Sequence, residues 1–451
     1  MRTIVVIILV IIGSVAALYG SFNALMFYLW LAYFRPESWI WSDFLQSYSL
    51  SLFCGVFLLA STFITGVKLR FTLFAGLLSL AAVHSLLSAV LSDYSTAALS
   101  SWMNFIKLIV ISYLLTMLVR SEKELKITLI VISLSLGVEG AKQGWVRLIT
   151  SPGSVNTNGQ PFLGDNNGVA IGMIMLAPLL FALYQTTERK LIKYGFLFLA
   201  IGVMYRALST YSRGGFLAFF AMLIIFWLRS KHKVRTLFIV AILCVLILPT
   251  FPEEFWDRMN TITVDGGEDR EGSAASRLYY WELGLEMAKS SPVFGIGHES
   301  YSRAYNAFDI TDGQWGPNRA VHSSWFGILA EWGFLGLALF LSIYFYSLYS
   351  CVQARKKCKN NPELKSFLIY NNGIETSLLA GAVGISFLTF QYLEMLWHFF
   401  ALAVVSNQIL SVQDKTDGGH KLENTNENID LSQQPRSPSI NDKQRNYYEQ
   451  F

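Results

Sequence analysis

Three short stretches of this 451-residue chain combine residue types that bind anions or move protons. In the first, residues 211–215 read Tyr-Ser-Arg-Gly-Gly and open an apolar run. Two glycines permit close backbone approach, and a helix N-terminus there offers unpaired N–H groups and positive potential. Arg213 would add a forked guanidinium that binds phosphate. The pattern indicates an anion site, and a plain interfacial helix cap is the alternative.

The second stretch is Gly-Asp-Asn-Asn-Gly at residues 164–168, just before another apolar run. A helix needs only one such residue as its N-cap. Asp165, Asn166 and Asn167 together therefore predict hydrogen bonding to a polyhydroxy ligand, with simple capping left open.

The third stretch is hydrophilic residues 251–321 with the apolar run that follows. Arg277 lies in an amphipathic helical pattern that puts Leu278, Trp281 and Leu285 on one face. Residues 291–298 then read Ser-Pro-Val-Phe-Gly-Ile-Gly-His, a turn ending at His298.

His322 opens the next apolar run, which also contains Glu331. A lone histidine at a helix start is usually an interfacial residue or a cap. Its combination with Arg213 and Arg277 makes His322 the candidate for a catalytic group.

The composition indicates which elements position these residues. Hydrophobic residues make up 53% of the chain and charged residues only 15%, against about 25% charged in soluble proteins. The apolar residues form blocks of about 17–25, long enough to cross a bilayer. We therefore predict an all-α polytopic membrane protein with about twelve transmembrane helices, at roughly 4–34, 45–65, 71–92, 102–120, 124–141, 165–185, 191–209, 213–229, 234–250, 322–349, 373–391 and 393–411.

The first block leaves an alternative open, because residues 4–34 fit one long tilted span or two shorter helices that part near Gly20. No small-residue cleavage site follows it, which argues against a secretory signal. The four cysteines indicate no disulfide framework or metal site, and the net charge of +4 implies no nucleic-acid partner.

Lysine and arginine predict the orientation, because short loops rich in them stay in the cytoplasm. Alternate short loops carry seventeen basic residues, whereas the intervening short segments carry five; the long 251–321 loop is counted in neither set. This puts the 251–321 loop between helices 9 and 10 outside the cytoplasm. The expected organisation is an N-terminal membrane segment (1–44), helices 2–9 (45–250), the partly helical extracytoplasmic loop (251–321), helices 10–12 (322–411) and a disordered cytoplasmic tail (412–451).

Ionisable residues in or near the spans are biased toward the predicted outer side. Such groups are expensive in lipid and by default mark function. The bias favours a shared polar cavity that opens outward, with snorkelling as the alternative for Lys107, Arg206 and Glu394 taken singly. The set is His84, Lys107, Glu139, Arg206, Arg213, His322, Glu331, Glu394 and His398.

At these residues the chain resembles the O-antigen ligase and polymerase superfamily of bacterial envelope glycosyltransferases. The resemblance lies in the order of motifs over roughly residues 45–411: an Arg-Gly-Gly span start, a large loop with an Arg-aromatic helix and a Pro-x-x-Gly-x-Gly-His turn, and a His-led span. Residues 33–39, Tyr-Phe-Arg-Pro-Glu-Ser-Trp, are similar to a subgroup described as O-glycosylation ligases associated with exosortase systems.

The resemblance implies transfer of a glycan from undecaprenyl pyrophosphate to an acceptor lipid, protein or sugar, at the outer face of the bacterial inner membrane. It implies that His322 is the base and that Arg213 and Arg277 bind the pyrophosphate. Asp165, Asn166, Asn167, Arg206, His298 and Glu331 are the expected substrate-binding residues. No cofactor or metal is expected, because the leaving group is already attached to the sugar.

Three other functions remain open at this point. A polymerase of the same superfamily would join one lipid-linked repeat unit to another. A transporter of lipid-linked sugars would place charges through the full membrane thickness, and a structural subunit would leave His322, Arg277 and Arg213 without a purpose.

Overall fold

A computed structural model describes residues 2–39, 50–260, 268–359 and 361–412. Within these ranges the chain is helical, and its one β-type pairing is an isolated bridge between Gln160 and Gly164. The predicted tail, apart from Val412, and loop residues 261–267 lie outside the described ranges. The α-helices are α1 Arg2–Ala17, α2 Ser21–Phe34, α3 Leu50–Ile64, α4 Leu73–Val90, α5 Ser95–Leu118, α6 Glu122–Thr150, α7 Asn166–Thr186, α8 Lys190–Leu208, α9 Arg213–Arg229, α10 Lys233–Ile247, α11 Glu253–Asn260, α12 Glu268–Ser290, α13 Tyr301–Phe308, α14 Ser324–Cys358, α15 Lys365–Ile385 and α16 Glu394–Val412.

Six of the described helices are long and apolar enough to cross a membrane: α4, α5, α7, α8, α14 and α16. Two more, α1 and α3, are apolar but shorter. The all-helical membrane class is therefore confirmed. The count of twelve spans and the position of the loop between spans 9 and 10 stay predictions.

Helix α15 begins at Lys365, about eight residues before the predicted start of its span. These extra turns mix polar and apolar residues, so hydropathy alone did not include them in the predicted span. Further along α15, Glu375 is only 4% exposed. Its charge is balanced there, because Arg229 and Arg355 approach its carboxylate at 2.8 and 3.0 Å. Paired charges of this kind are tolerated inside a helix bundle.

The N-terminal block forms two helices. The chain breaks at Gly20, whose φ of 144° is easily reached only by glycine. Helix α1 then packs against α2, and Gly13 lies directly on the Phe27 ring. The two-helix alternative is the one observed.

Helix α7 lies at the centre of the bundle, with nearly every residue from Gly168 to Leu183 buried. Helices α6, α8, α9 and α15 surround it. Small residues let these helices approach closely: a Cβ on Gly215 of α9 would lie 2.6 Å from the Ala170 Cβ. This contact holds the N-terminal ends of α7 and α9 side by side.

Helix α14 is broken at Gly333, whose φ of 70° and ψ of −173° are not helical. The break frees backbone groups, and the segment after α12 satisfies them: Ile296 N donates to Ala330 O at 3.0 Å and Phe334 N donates to Pro292 O at 2.8 Å. Helix α4 completes the set, since the Ser88 hydroxyl donates to Glu331 O at 2.7 Å. The Pro/Gly turn predicted at 291–298 thus pairs with the break in α14.

Gly333→Ala should lower the melting temperature of the purified protein by several degrees. The backbone conformation is almost restricted to glycine, at a cost of about 1–3 kcal/mol for another residue, and a Cβ would lie 2.5 Å from Pro292 O. Thermal unfolding in detergent measures the effect. Gly66→Ala is the matched control, since Gly66 also has positive φ but a Cβ there meets nothing within 4 Å. Equal shifts in the two variants would contradict the packing argument.

The described part of the 251–321 loop forms a small core against the start of α14. The predicted apolar face of α12 was wrong, because Leu278 is 63% exposed. The buried stripe instead follows Tyr280, Leu283 and Met287, since the tyrosines of α13 cover that side. The core consists of Tyr280, Leu283, Met287, Tyr301, Ala304, Tyr305, Val321 and Ala330.

Candidate functional site

His322 lies two residues before α14, at a junction that the surrounding chain holds firmly. Its own φ is 50°, in the left-handed region. The neighbouring Ser324 hydroxyl donates to Leu388 O and accepts from Phe390 N, both at 2.8 Å. The imidazole is half-buried, and its ring centre lies 6.2 Å from that of Tyr280 on α12.

Arg277 reaches the same region because α12 packs along the beginning of α14. One turn after Arg277, the Trp281 ring stacks on Phe326 with centroids 5.4 Å apart and an interplanar angle of 3°. Phe326 is only four residues beyond His322. Arg277 therefore lies on the turn of α12 that faces the His322 junction.

Arg213 is the first residue of α9, and the Ser212 hydroxyl caps the helix by accepting from Gly215 N at 3.3 Å. The two glycines serve packing here. A Cβ on Gly214 would lie 3.0 Å from the Phe387 Cβ, and the Phe387 ring lies 6.2 Å from that of Trp281. The helix start that carries Arg213 is thus brought next to α12.

The residues at the start of α7 combine capping with exposure. Asp165 caps the helix, since its Oδ1 accepts from Gly168 N at 2.8 Å. Asn167 Nδ2 donates to the other carboxylate oxygen at 3.4 Å, and Asn166 Nδ2 donates to Thr210 O at 3.3 Å. Capping by Asp165 is therefore observed, and because its side chain stays exposed, ligand binding by this stretch stays a prediction.

Electrostatics ties Arg277 and Asp165 to the histidine. Burial lowers the pKa of His322 below its ordinary value, and the positive charge of Arg277 lowers it further. The Asp165 carboxylate acts in the opposite direction, and Arg319 adds a smaller lowering. Arg277 and Asp165, from distant parts of the chain, therefore lie near the imidazole. We call His322, Arg277, Arg213 and Asp165 the His322 cluster.

Arg319 was missed from the sequence. It is exposed and lies three residues before His322, and that short separation was the only available signal. Its Nε donates to Trp315 O within the same loop. The residue adds a second guanidinium, beside that of Arg277, to the charges that act on the histidine.

Arg206 takes a different position from the one expected of a substrate-binding residue. It is fully buried on α8, where its guanidinium donates to Gln143 Oε1 at 3.0 Å, to Asn156 O at 3.1 Å and to Asn158 O. These contacts tie the chain between α6 and α7 to the bundle. The structure thus gives Arg206 a role in holding that segment.

His298 and Glu331 form a second buried group, beside the break in α14. His298 Nδ1 accepts from Trp332 Nε1 at 3.1 Å. Glu331 accepts from Tyr301 N at 3.1 Å and from the Tyr392 hydroxyl at 2.7 Å. Burial lowers the pKa of His298 to about 3, so its imidazole is neutral.

The polar residues predicted to share one cavity therefore separate into distinct places. Lys107 and Glu394 line a cavity of about 590 Å³ together with His298. His84 instead binds Trp332 O at 2.8 Å, and His398 binds the Tyr33 hydroxyl at 3.1 Å. Spacing along the sequence could not show which of these polar side chains form hydrogen bonds within the protein.

Comparison with known families agrees with the order of the motifs. A family model described as O-antigen ligase matches residues 196–341, which include the start of α9, α12 and His322. A second model, described as a family of unknown function, matches residues 1–184. A search of curated proteins found no match. The chain thus contains an O-antigen ligase domain at residues 196–341, in agreement with the resemblance of its motifs to that superfamily.

Proposed function

We propose that the protein is a membrane glycosyltransferase that moves a glycan from undecaprenyl pyrophosphate to an acceptor at the outer face of the bacterial inner membrane. The observation that carries this proposal is the His322 cluster, of which His322, Arg277 and Arg213 lie within the O-antigen ligase domain. A base flanked by guanidinium groups suits a substrate that already bears its leaving group.

The proposed reaction is a single displacement. His322 takes the proton of the acceptor hydroxyl, whose oxygen forms a bond to the anomeric carbon. The bond from that carbon to pyrophosphate breaks, and its electron pair leaves with undecaprenyl pyrophosphate. Arg277 and Arg213 neutralise the departing charge, and Asp165, Asn166 and Asn167 hold sugar hydroxyls.

The electrostatics of the cluster supports this assignment of roles. A base must be unprotonated before it acts, and the lowered pKa of His322 keeps its imidazole neutral at neutral pH. Arg277 contributes to that lowering, so the same cation serves both the leaving group and the base.

A product assay tests the proposal. Purified protein is given a labelled lipid-linked glycan with candidate lipid, peptide and sugar acceptors. We expect intact glycan to move to the acceptor in one step with its length unchanged. A ladder of lengths on the same lipid would instead identify a polymerase of the superfamily. Translocation of the lipid-linked glycan without any transfer would overturn both assignments.

A further inference from the structure

A separate cavity lies between α2, α3, α5 and the start of α16. It encloses about 590 Å³, within the usual range of about 300–1,000 Å³ for small-molecule sites. Among the described residues that line it, none belongs to the His322 cluster. We call it the lateral cavity.

The walls of the lateral cavity differ from one side to the other. Leu52, Val56 and Leu59 of α3 form an apolar wall, and these side chains are also 38–59% exposed on the outside of the bundle. In a membrane protein such an outward apolar surface meets lipid hydrocarbon. The cavity is therefore bordered on this side by a thin, lipid-facing layer of side chains.

The opposite wall is polar and carries both signs of charge. Arg35 lies over the Phe162 ring at 5.8 Å, and Lys107 Nζ donates to Asn104 Oδ1 at 3.1 Å. The charges of both cations act on the Glu394 carboxylate. Among the described residues, however, no ion pair within 4 Å joins Glu394 to either. Arg35 and Lys107 therefore line the cavity without a direct contact to the Glu394 carboxylate.

Two buried polar atoms on this wall lack a hydrogen-bond partner within the described part of the chain: His298 Nε2 and Glu394 Oε2. His298 is fully buried. Its Nδ1 accepts from an indole N–H, which can only donate, so the neutral ring carries its proton on Nε2. A buried N–H donor without an acceptor is costly. An oxygen atom of a ligand in the cavity would satisfy it.

We propose that the lateral cavity binds a phospholipid-type amphiphile. Its phosphate lies between Arg35 and Lys107, and His298 Nε2–H donates to a head-group oxygen. Glu394 Oε2 accepts from an ammonium or hydroxyl group of the head, and an acyl chain runs along the α3 wall. This site is separate from the His322 cluster and stands independently of the proposed transfer reaction.

Lipid binding to the full-length protein in detergent, followed by native mass spectrometry, tests the proposal. The probes are phosphatidylethanolamine, phosphatidylglycerol and a diacylglycerol with the same chains but no phosphate. We expect both phospholipids to bind at least about tenfold more tightly than the diacylglycerol, because charge-assisted hydrogen bonds to phosphate are strong. Equal binding of all three would overturn the site. A preference between the two phospholipids would support it and show which head group contacts Glu394.

Variants locate the bound lipid. Arg35→Gln and Lys107→Gln should each weaken phospholipid binding about tenfold, and Val56→Trp should block it by filling the apolar wall. Lys142→Gln and Val83→Trp are matched controls at exposed positions that do not line the cavity. Unchanged binding in the cavity variants would overturn the proposal. So would a loss of the same size in His322→Ala, because it would put the lipid at the other site.

Discussion

His322→Ala is expected to reduce glycan transfer by about 10²–10⁴-fold, the usual contribution of a general base. The acceptor hydroxyl would then lose the imidazole that takes its proton. Initial rates with a labelled lipid-linked glycan measure the effect, and melting temperature checks the fold.

A second variant separates catalysis from backbone strain at this position. His322 has φ of 50°, which asparagine adopts more readily than alanine. His322→Asn should therefore keep the junction before α14 but lose activity to the same degree. His232→Ala is the control, since His232 is an exposed histidine at the start of α10. Transfer near the wild-type rate in both His322 variants would exclude this residue as the base.

Arg277→Gln is expected to lower transfer by about 10²–10³-fold, as removal of one charge-stabilising donor does in other enzymes. It should also shift the acid limb of the pH–rate profile to higher pH. The Arg277 charge opposes protonation of His322, so its removal raises the histidine pKa and more base is protonated at a given pH. Rates measured from about pH 5 to 8, around the ordinary pKa of histidine, resolve the limb.

In the same experiment, Asp165→Asn should shift the acid limb of the pH–rate profile in the opposite direction. The Asp165 carboxylate favours the imidazolium form, so its neutralisation should lower the pKa of His322 and move the acid limb downward. Arg303→Gln, at a cation on α13 that donates to Glu299 O, should leave the limb in place. Shifts of Arg277→Gln and Asp165→Asn in the same direction would refute the arrangement of charges around His322.

The difference between the expected and the observed surroundings of two predicted site residues, Arg206 and Arg213, has a physical origin. Arg206 and Arg213 looked alike in the sequence, since both are arginines at the predicted outer end of a span. In the fold, Arg206 is fully buried and bound to Gln143, Asn156 and Asn158. Arg213 instead begins a helix packed next to α12. Which acceptors surround a cation depends on distant segments, and spacing along one segment does not encode them.

The sequence by itself determined the membrane class, the helical content and the order of the motifs around Arg213, Arg277 and His322. Composition and local order suffice for these, because the bilayer demands apolar helices whatever their neighbours are. Only the tertiary structure decided that Asp165 and Arg277 share the surroundings of His322, that the Pro/Gly turn pairs with the break at Gly333, and that a separate cavity collects Arg35, Lys107 and His298. Each of these depends on contacts between residues far apart in the chain, which are set by the packing of helices and not by any local pattern.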